Sequence, residues 1–400
     1  MKLNRFGTIL LPLVVAALNI MIIIYPRESL AAARDGLLLW SQNVLPGILP
    51  FVIGANLLMG LGGASFLGEL FSPIMKAVFK VSGAGGFALA IGLMSGYPIG
   101  SKVVSEMRTS GQLTKAEAQR LIAFTSNASP LFILGAVAAG MFGSATLGYF
   151  ILVTHYLGAL SIGLLMRFYK AREAKMQTPP EDKQYPLYVR AFRAMEAARR
   201  KDGRSFGLLF GYSVKNAVET MLIVGGFVVL FSVVSTLLEL SGVFYTLSAI
   251  LGPTMQFFGI PKMFHVEHFA GMIEMTNGVG MLSAYGISRQ AIALSVALIS
   301  FGGLSILFQS INFIGKTDIS VPLFVICKVV HGIFAGIYAM ALYPFFADTF
   351  EAAHSVGVYQ GSVGAVNRFG QSIMHFTVMV VMLLVVGMGV IVFGRIRKSR

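Results

Sequence analysis

Long apolar runs separated by short polar interruptions dominate this chain. A helix needs about 20 apolar residues to cross the hydrocarbon core of a bilayer. Runs close to that length predict transmembrane helices at residues 7–25, 38–61, 118–142, 145–167, 217–239, 288–314, 320–345 and 375–394. The basic start of the first run also fits a cleaved signal, with Ala31-Ala32-Ala33 near the cleavage point. Its apolar length favours an uncleaved first helix.

Two apolar segments are interrupted near their middle. Residues 85–108 hold two apolar arms of roughly nine residues around 95–100, and residues 263–285 are broken at 274–278. At about 1.5 Å per residue, such an arm reaches only halfway across the bilayer. We therefore predict two re-entrant hairpins, about 180 residues apart in the chain.

The two halves of the chain repeat one order of elements. Short amphipathic stretches at 65–80 and 243–259 predict helices that lie in the membrane interface, and each precedes a hairpin and two further spans. Counting crossings from a cytoplasmic N-terminus makes the two hairpins enter from opposite faces. The predicted fold is therefore an all-α polytopic membrane protein with inverted-topology repeats, a design typical of alternating access.

This pattern divides the chain into five parts. Residues 1–36 form an N-terminal transmembrane helix and a loop, and residues 168–216 form a basic cytoplasmic linker with a basic amphipathic helix near 189–201. The two repeats occupy 37–167 and 217–345. Residues 346–400 hold an external segment, the last transmembrane helix and a basic tail.

Composition and charge support a membrane location. The chain is 56% hydrophobic and 12% charged, whereas soluble domains carry about 25% charged residues. The net charge of +14 is concentrated at the N-terminus, in the linker and in the tail, which places both termini in the cytoplasm. No aromatic-interleaved basic surface indicates nucleic-acid binding. Cys327 is the only cysteine, which excludes a disulfide framework and predicts a packing role.

Polar residues at the interruptions form the candidate substrate site. Non-helical backbone at membrane depth persists only when it is buried in protein or lines a wet cavity. We expect four polar stretches, at 95–101, 125–130, 274–278 and 300–305, to converge between the repeats. Small residues in such stretches also allow close helix packing. The candidate site residues are Ser95, Gly96, Tyr97, Ser101, Lys102, Thr125, Ser126, Asn127, Ser129, Glu274, Thr276, Asn277, Ser300 and Ser305.

Two ionisable residues in these stretches have specific expected roles. Glu274 is a proton acceptor, a cation ligand or an acceptor for substrate, or else one partner of a structural ion pair. Lys102 meets a substrate anion, or else snorkels to the interface. The spans contain no nucleophile–base pair, metal-ligand set or cofactor motif, so no catalytic residue, metal or cofactor is predicted and the chain is not expected to be an enzyme. In particular, His265 and His268 beside Glu267 do not have zinc-site spacing.

Two motifs resemble a known family. Residues 92–102, Gly-Leu-Met-Ser-Gly-Tyr-Pro-Ile-Gly-Ser-Lys, and residues 124–132, Phe-Thr-Ser-Asn-Ala-Ser-Pro-Leu-Phe, resemble the signature of the YlbJ-like sporulation integral membrane proteins. Those proteins belong to the nucleoside-recognition, or Gate-domain, superfamily, which includes the concentrative nucleoside transporters. By position, residues 95–98 match a hairpin tip of those transporters but lack its carboxylate, which argues against nucleoside as the substrate. Glu274 matches their second hairpin.

The resemblance implies a role in endospore formation. It suggests a secondary-type transporter that moves dipicolinate, a small organic anion, across the outer forespore membrane, with Tyr97 and Lys102 contacting this flat aromatic dianion. A proton or a cation is the expected coupling ion, and related transporters suggest a homo-oligomer. The alternatives are a nucleoside transporter of the same fold and a non-transporting scaffold for spore-envelope assembly.

Overall fold

The structure, a computed structural model, describes residues 5–170 and 185–347. Within these residues every regular element is helical. The first half contains α1 (Arg5–Ile24), α2 (Pro26–Leu39), π1 (Trp40–Val44), α3 (Leu45–Gly60), α4 (Gly63–Ile74), π2 (Met75–Phe79), α5 (Gly85–Ser95), α6 (Ile99–Thr109), α7 (Lys115–Thr125), π3 (Phe132–Met141) and α8 (Ala145–Met166).

The second half begins after a linker helix. It contains α9 (Leu187–Asp202), α10 (Phe206–Leu240), α11 (Val243–Phe257), α12 (His265–Ile273), α13 (Met275–Ser283), α14 (Arg289–Phe301), α15 (Gly303–Ile314) and α16 (Val321–Leu342), with short 3-10 turns at Lys262–Phe264 and Tyr343–Phe345. The order α10, α11, α12, α13, α14, α15, α16 repeats the order α3, α4, α5, α6, α7, π3, α8. The all-helical polytopic fold that the apolar pattern predicts is therefore present.

Four described helical segments are long and apolar enough to cross a membrane. They are Ala145–Met166, Phe206–Leu240, Arg289–Ile314 and Val321–Phe345. Two further pairs of helices reach that length only together, and each pair is sharply bent. Pro12–Ile24 meets Pro26–Gln42 at 105°, and Ile48–Gly60 meets Gly63–Phe79 at 85°. The second bend turns α4 away from α3, as expected for a helix that lies in the interface.

Both interrupted segments fold as pairs of short helices. α5 and α6 pack against each other on either side of residues 96–98, and α12 and α13 do so on either side of Glu274. Neither pair forms a continuous helix, because glycine, proline and polar residues interrupt the apolar run at its centre. The hairpin geometry is therefore present at both places that the sequence indicates.

Three boundaries differ from the sequence prediction. Residues 118–142 are not one span, because α7 ends at Thr125 and residues 126–129 are extended before Pro130. Residues 26–37 are helical rather than a loop, since Pro26 occupies the first helical turn, where proline is tolerated. α10 starts at Phe206, so the last eleven residues assigned to the linker are helical. The predicted span 375–394 and the segment 346–400 lie outside the described residues, except for their first two positions.

The predicted amphipathic helix of the linker is α9. It packs along α4 through an Arg190–Glu69 ion pair of 2.9 Å and through the rings of Phe66 and Phe192, whose centroids are 5.1 Å apart. α10 in turn packs along α2 and α3. These contacts place the linker helix against the first half of the fold. Cys327 is buried beside Ile162 and Met166 in a small apolar cluster, which confirms its packing role.

Candidate functional site

The first hairpin packs its turn against the extended segment that follows α7. A Cβ atom on Gly100 would lie 2.1 Å from the Thr125 carbonyl oxygen, and one on Gly92 would lie 2.3 Å from the same atom. Gly96, with φ of +76°, lies against the backbone of Ser129. Only glycine permits these approaches. The candidate residues of the first hairpin and of segment 126–129 are therefore in contact.

The second hairpin likewise packs against the break between α14 and α15. A Cβ atom on Gly303 would lie 3.0 Å from the Gly271 carbonyl oxygen and 3.1 Å from the Met275 amide nitrogen. Gly302 and Gly303 both have positive φ, +92° and +69°, which ends α14 and begins α15. Each half thus joins one hairpin turn to one broken helix.

Glu274 lies at the turn of the second hairpin and caps α13. Its carboxylate accepts a 2.8 Å hydrogen bond from the Asn277 amide, which is one of the unpaired donors at the start of that helix. The side chain is buried, and among the described residues no basic side chain lies within ion-pair distance of it. The positive end of the α13 dipole therefore compensates part of its charge. Thr276 and Asn277 are half-buried on the first turn of α13.

Two hydrogen bonds link the two halves of the chain directly. Tyr97, in the first hairpin turn, donates its hydroxyl hydrogen bond to the carbonyl of Ile299 near the end of α14. Ser300, the next residue, is hydrogen-bonded through its hydroxyl to Nδ1 of His155 at 2.7 Å. The first hairpin and the second broken helix are therefore linked around Tyr97 and Ser300.

A fully buried lysine stands at the centre of this junction. Lys328, on α16, donates hydrogen bonds to the Ser126 carbonyl at 2.8 Å and to Nδ1 of His331 at 3.3 Å. Its ammonium lies 5.0 Å from the centroid of the Tyr97 ring, within the range of a cation–π contact. No carboxylate among the described residues lies within ion-pair distance of Lys328. The lysine is thus held only by neutral groups.

The hydrogen bonds assign both histidine tautomers. His155 accepts from the Ala128 amide at Nε2, so its proton is on Nδ1 and points to Ser300. His331 faces the carbonyl oxygen of His155 with Nε2 at 3.0 Å, so that nitrogen carries the proton and Nδ1 is free to accept from Lys328. Both rings are neutral in this arrangement, and they bridge α8, α14 and α16.

Sequence reasoning missed Lys328, His331 and His155. All three lie inside predicted spans, at 145–167 and 320–345. The signal was available, because an ionisable residue at membrane depth is costly and marks a functional site by default. Tyr156 was missed as well, and its hydroxyl donates to the carbonyls of Leu93 and Ala128 at 3.1 Å each.

Several buried polar atoms of the candidate residues have no hydrogen-bond partner within the described chain. They are Oγ of Ser101, Oγ1 of Thr125, Oγ of Ser126 and Oδ1 of Asn127. Most buried polar groups in folded proteins are paired, and an unpaired one costs about 1–3 kcal/mol. Segment 125–127 therefore has free capacity to bind a polar ligand or water.

Not every candidate residue turns toward this junction. Lys102 is directed at α10, where it donates to Oδ1 of Asn216 and lies 3.5 Å from Glu106. Asn56 on α3 also donates to Asn216, at 3.3 Å. Ser305 instead accepts a 3.2 Å hydrogen bond from Gln309 on its own helix. Ser95 and Ser129 are buried at the contact between the first hairpin and segment 126–129.

Lys102 lines a separate cavity of about 680 Å³. Its wall comes from α3, α6, α10, the end of α15 and the connection after α9. At its rim, Asp202 and Arg204 form a 2.6 Å ion pair, and the Arg204 side chain lowers the pKa of Asp202 mainly through this hydrogen bond. Lys316 also lines the cavity.

The histidines near the second hairpin do not gather as metal ligands. His265 is hydrogen-bonded to the Ser248 hydroxyl and to the Ile260 carbonyl, both at 3.2 Å. Among the described residues, no three His, Cys, Asp or Glu side chains are placed to hold a metal ion.

Comparison with known proteins identifies the family. The sporulation integral membrane protein YlbJ of Bacillus subtilis (strain 168) is 36% identical over 344 residues, which cover 86% of this chain and 84% of that protein. No family model matches the chain. A structure of a doubly substituted CNTnw in an outward-facing state aligns over 86% of this chain and 88% of its own, at 12% identity and a TM-score of 0.37. On the extent of its match to YlbJ, the chain belongs to the YlbJ family of sporulation integral membrane proteins.

Proposed function

We propose that this membrane protein transports a small organic anion during endospore formation. The observation that carries the proposal is Lys328, a buried ammonium held by neutral groups at the junction of two broken helices. A buried charge is costly unless it is paired. A bound anion would supply the missing partner. The unpaired polar atoms of Thr125 and Ser126 beside it would complete the site.

The order of elements supports alternating access. Residues 37–167 and 217–345 are the proposed repeats, each with an interfacial helix, a hairpin and a broken helix. Substrate sites of transporters built from inverted repeats lie at the repeat interface and are formed by discontinuous helices. On the topology counted from a cytoplasmic N-terminus, Lys102, Arg204 and Lys316 lie on the cytoplasmic side, and all three line one cavity. That grouping agrees with the proposed topology, in which both termini are cytoplasmic.

Dipicolinate is the proposed substrate, moved from the mother cell across the outer forespore membrane. It is a flat aromatic dianion, and the junction offers a cation at Lys328, an aromatic face at Tyr97 and polar atoms at Ser126. Lys102 would meet the anion earlier, in the cavity. The family assignment supports the link to sporulation.

Glu274 is the proposed group for coupling to a proton or a cation. It is buried, and its carboxylate accepts from the backbone amide of Asn277 at a helix N-terminus rather than from a basic side chain. Protonation of this carboxylate would change the charge of the second hairpin turn. The Glu274→Gln variant keeps an oxygen that can cap α13, so it tests charge separately from the cap.

Uptake into reconstituted vesicles tests this function. We expect purified protein to accumulate labelled dipicolinate, excess unlabelled dipicolinate to compete, and uridine not to compete. Glu274→Gln should abolish the effect of an imposed pH gradient while protein abundance is unchanged. Competition by uridine would instead favour a nucleoside transporter. Absence of uptake, together with full sporulation of strains carrying Glu274→Gln or Lys102→Ala, would favour the scaffold alternative.

A further inference from the structure

Four buried polar side chains lie on α6 and α15, two helices in contact, and we call this set the seam. Ser101 and Ser105 lie one turn apart on α6, and Gln309 and Ser310 lie on α15, which contacts it. All four are nearly fully buried, with at most 5% of their surface exposed. The hydroxyls of the three serines and Oε1 of Gln309 have no partner within the described chain. Such atoms are normally satisfied by water or a ligand when the protein does not pair them.

One end of this seam opens into the 680 Å³ cavity. Ser105 of α6 and Phe313 of α15 both line that cavity, together with Lys102 and Glu106. Ser105 is therefore the point at which the buried hydroxyls meet the open space.

The other end of the seam reaches the junction that contains Lys328. Ser101 follows Gly100, whose Cα lies directly against the Thr125 carbonyl. The next carbonyl, that of Ser126, accepts the hydrogen bond from Lys328. Ser101 is therefore adjacent to the residue that packs on Thr125, and Ser126, which follows Thr125, binds the buried ammonium.

The corresponding contact in the other half is apolar. There α13 packs against π3, and the buried Val279 and Leu282 share one hydrophobic core with Val137 and Ala128. A Cβ atom on Gly278 would lie 2.3 Å from the Gly271 Cα across the arms of the second hairpin, and one on Gly100 would lie 3.3 Å from the Gly92 Cα across the arms of the first. Val279 therefore occupies the place that Ser101 has in the first half.

We infer that the seam between α6 and α15 is a hydrated path for a small polar solute between the cavity and Lys328, and that the contact between α13 and π3 is closed in this conformation. A path for a polar solute needs polar groups that are not already hydrogen-bonded to each other, and the seam contains such groups. Packed aliphatic side chains exclude water and polar solutes. The identity of the solute rests on the proposed function, whereas the accessibility of the path does not.

The single cysteine of the chain makes accessibility directly measurable. In a Cys327→Ala parent, one cysteine at a time is introduced as Ser101→Cys or Ser105→Cys in the seam. Val279→Cys in the α13–π3 contact is the matched buried control, and Ser110→Cys at the cavity is the exposed control. The full-length protein in detergent is treated with 2-sulfonatoethyl methanethiosulfonate, a small charged thiol reagent. Mass spectrometry follows the rate of modification.

We expect the seam cysteines to react at least tenfold faster than Val279→Cys and more slowly than Ser110→Cys. Modification after denaturation shows that every thiol is reactive, and gel filtration and melting temperature show that each variant is folded. Seam cysteines that react no faster than Val279→Cys would overturn the path. If the parent protein takes up no dipicolinate but the seam cysteines are labelled fast, the proposed substrate is refuted and the path is not. The two failures are therefore distinguishable.

Discussion

Lys328 donates a 2.8 Å hydrogen bond to the carbonyl oxygen of Ser126, which lies 202 residues earlier in the chain. That carbonyl is available because α7 ends one residue before it. A helix break in the first half is therefore occupied by a cation from the second half. Because the ammonium has hydrogen-bonding capacity left after two bonds, it can hold the helix break and still face a ligand.

Replacing Lys328 should separate transport from stability. We expect Lys328→Met to reduce dipicolinate uptake at least tenfold, which corresponds to about 1.4 kcal/mol. The melting temperature should change little, because removal of a buried charge offsets the loss of the Ser126 hydrogen bond, each about 1–3 kcal/mol. Lys215→Met, at a 77% exposed lysine, is the control and should leave both unchanged. Normal uptake by Lys328→Met would show that Lys328 is not part of the substrate site.

The ring and the hydroxyl of Tyr97 should have different roles. Tyr97→Phe removes the hydrogen bond to the Ile299 carbonyl but keeps the ring beside Lys328, and it should cost about 1 kcal/mol of stability. Tyr97→Leu removes the ring as well and should lower substrate affinity further. Binding and melting of the two variants are compared side by side. Equal affinities would show that the ring contributes nothing to binding.

Two glycines on α13 provide a matched test of the second hairpin. A Cβ atom on Gly278 would lie 2.3 Å from the Cα of Gly271, whereas one on Gly280 meets no atom within 4 Å. Gly278→Ala should therefore destabilise the protein by about 1–3 kcal/mol through overpacking. Gly280→Ala should be neutral or stabilise it by up to about 1 kcal/mol, because alanine is the better helix former. Thermal unfolding in detergent measures both. Equal effects would contradict the close contact of the arms.

The ion pair between Arg108 and Asp318 should make the folding stability of the protein vary with pH only in the acid range. Both carboxylate oxygens accept from the guanidinium, at 2.8 and 2.9 Å, and this pairing lowers the pKa of Asp318. Because the pKa of Asp318 is lowered in the folded state, the ion pair contributes its full stabilisation above the unfolded pKa of about 4. It is lost as pH falls through the lower folded value.

The Asp318→Asn variant measures that contribution. Because both partners are partly exposed, we expect it to lose only about 0.5 kcal/mol at neutral pH. The difference in melting temperature between the variant and the parent should be constant from pH 5 to 8 and should shrink below about pH 4. A difference that grows toward acid pH would have the wrong sign for this ion pair.

The two hairpins could be read from the sequence because their signals are local, whereas residues 118–142 and 288–314, predicted as single spans, are each broken in the structure. Gly96 and Pro98 interrupt an apolar run within four residues, and Glu274 does the same in the second half. Breaks of this kind depend on backbone conformation and on the cost of unpaired groups in lipid, which the residues themselves specify. The amphipathic helix α9 was predictable for the same reason, since its periodicity lies within one segment.

The directions of individual side chains could not be predicted in this way. Tyr97 and Lys102 lie five residues apart, yet the tyrosine turns to Ile299 and the lysine turns to Asn216. Each direction depends on which helix packs beside the first hairpin at that residue, and these neighbours come from distant parts of the chain.

The sequence by itself determined that this chain is a helical membrane protein with two interrupted hairpins, because hydrophobic length and helix-breaking residues act locally. Only the tertiary structure decided that Lys328, His331 and His155 meet Ser126 and Ser300. Those residues are separated by up to 205 positions (Ser126 to His331) and lie on three helices and the extended segment 126–129. No local pattern encodes such a meeting, because it results from the packing of one repeat against the other.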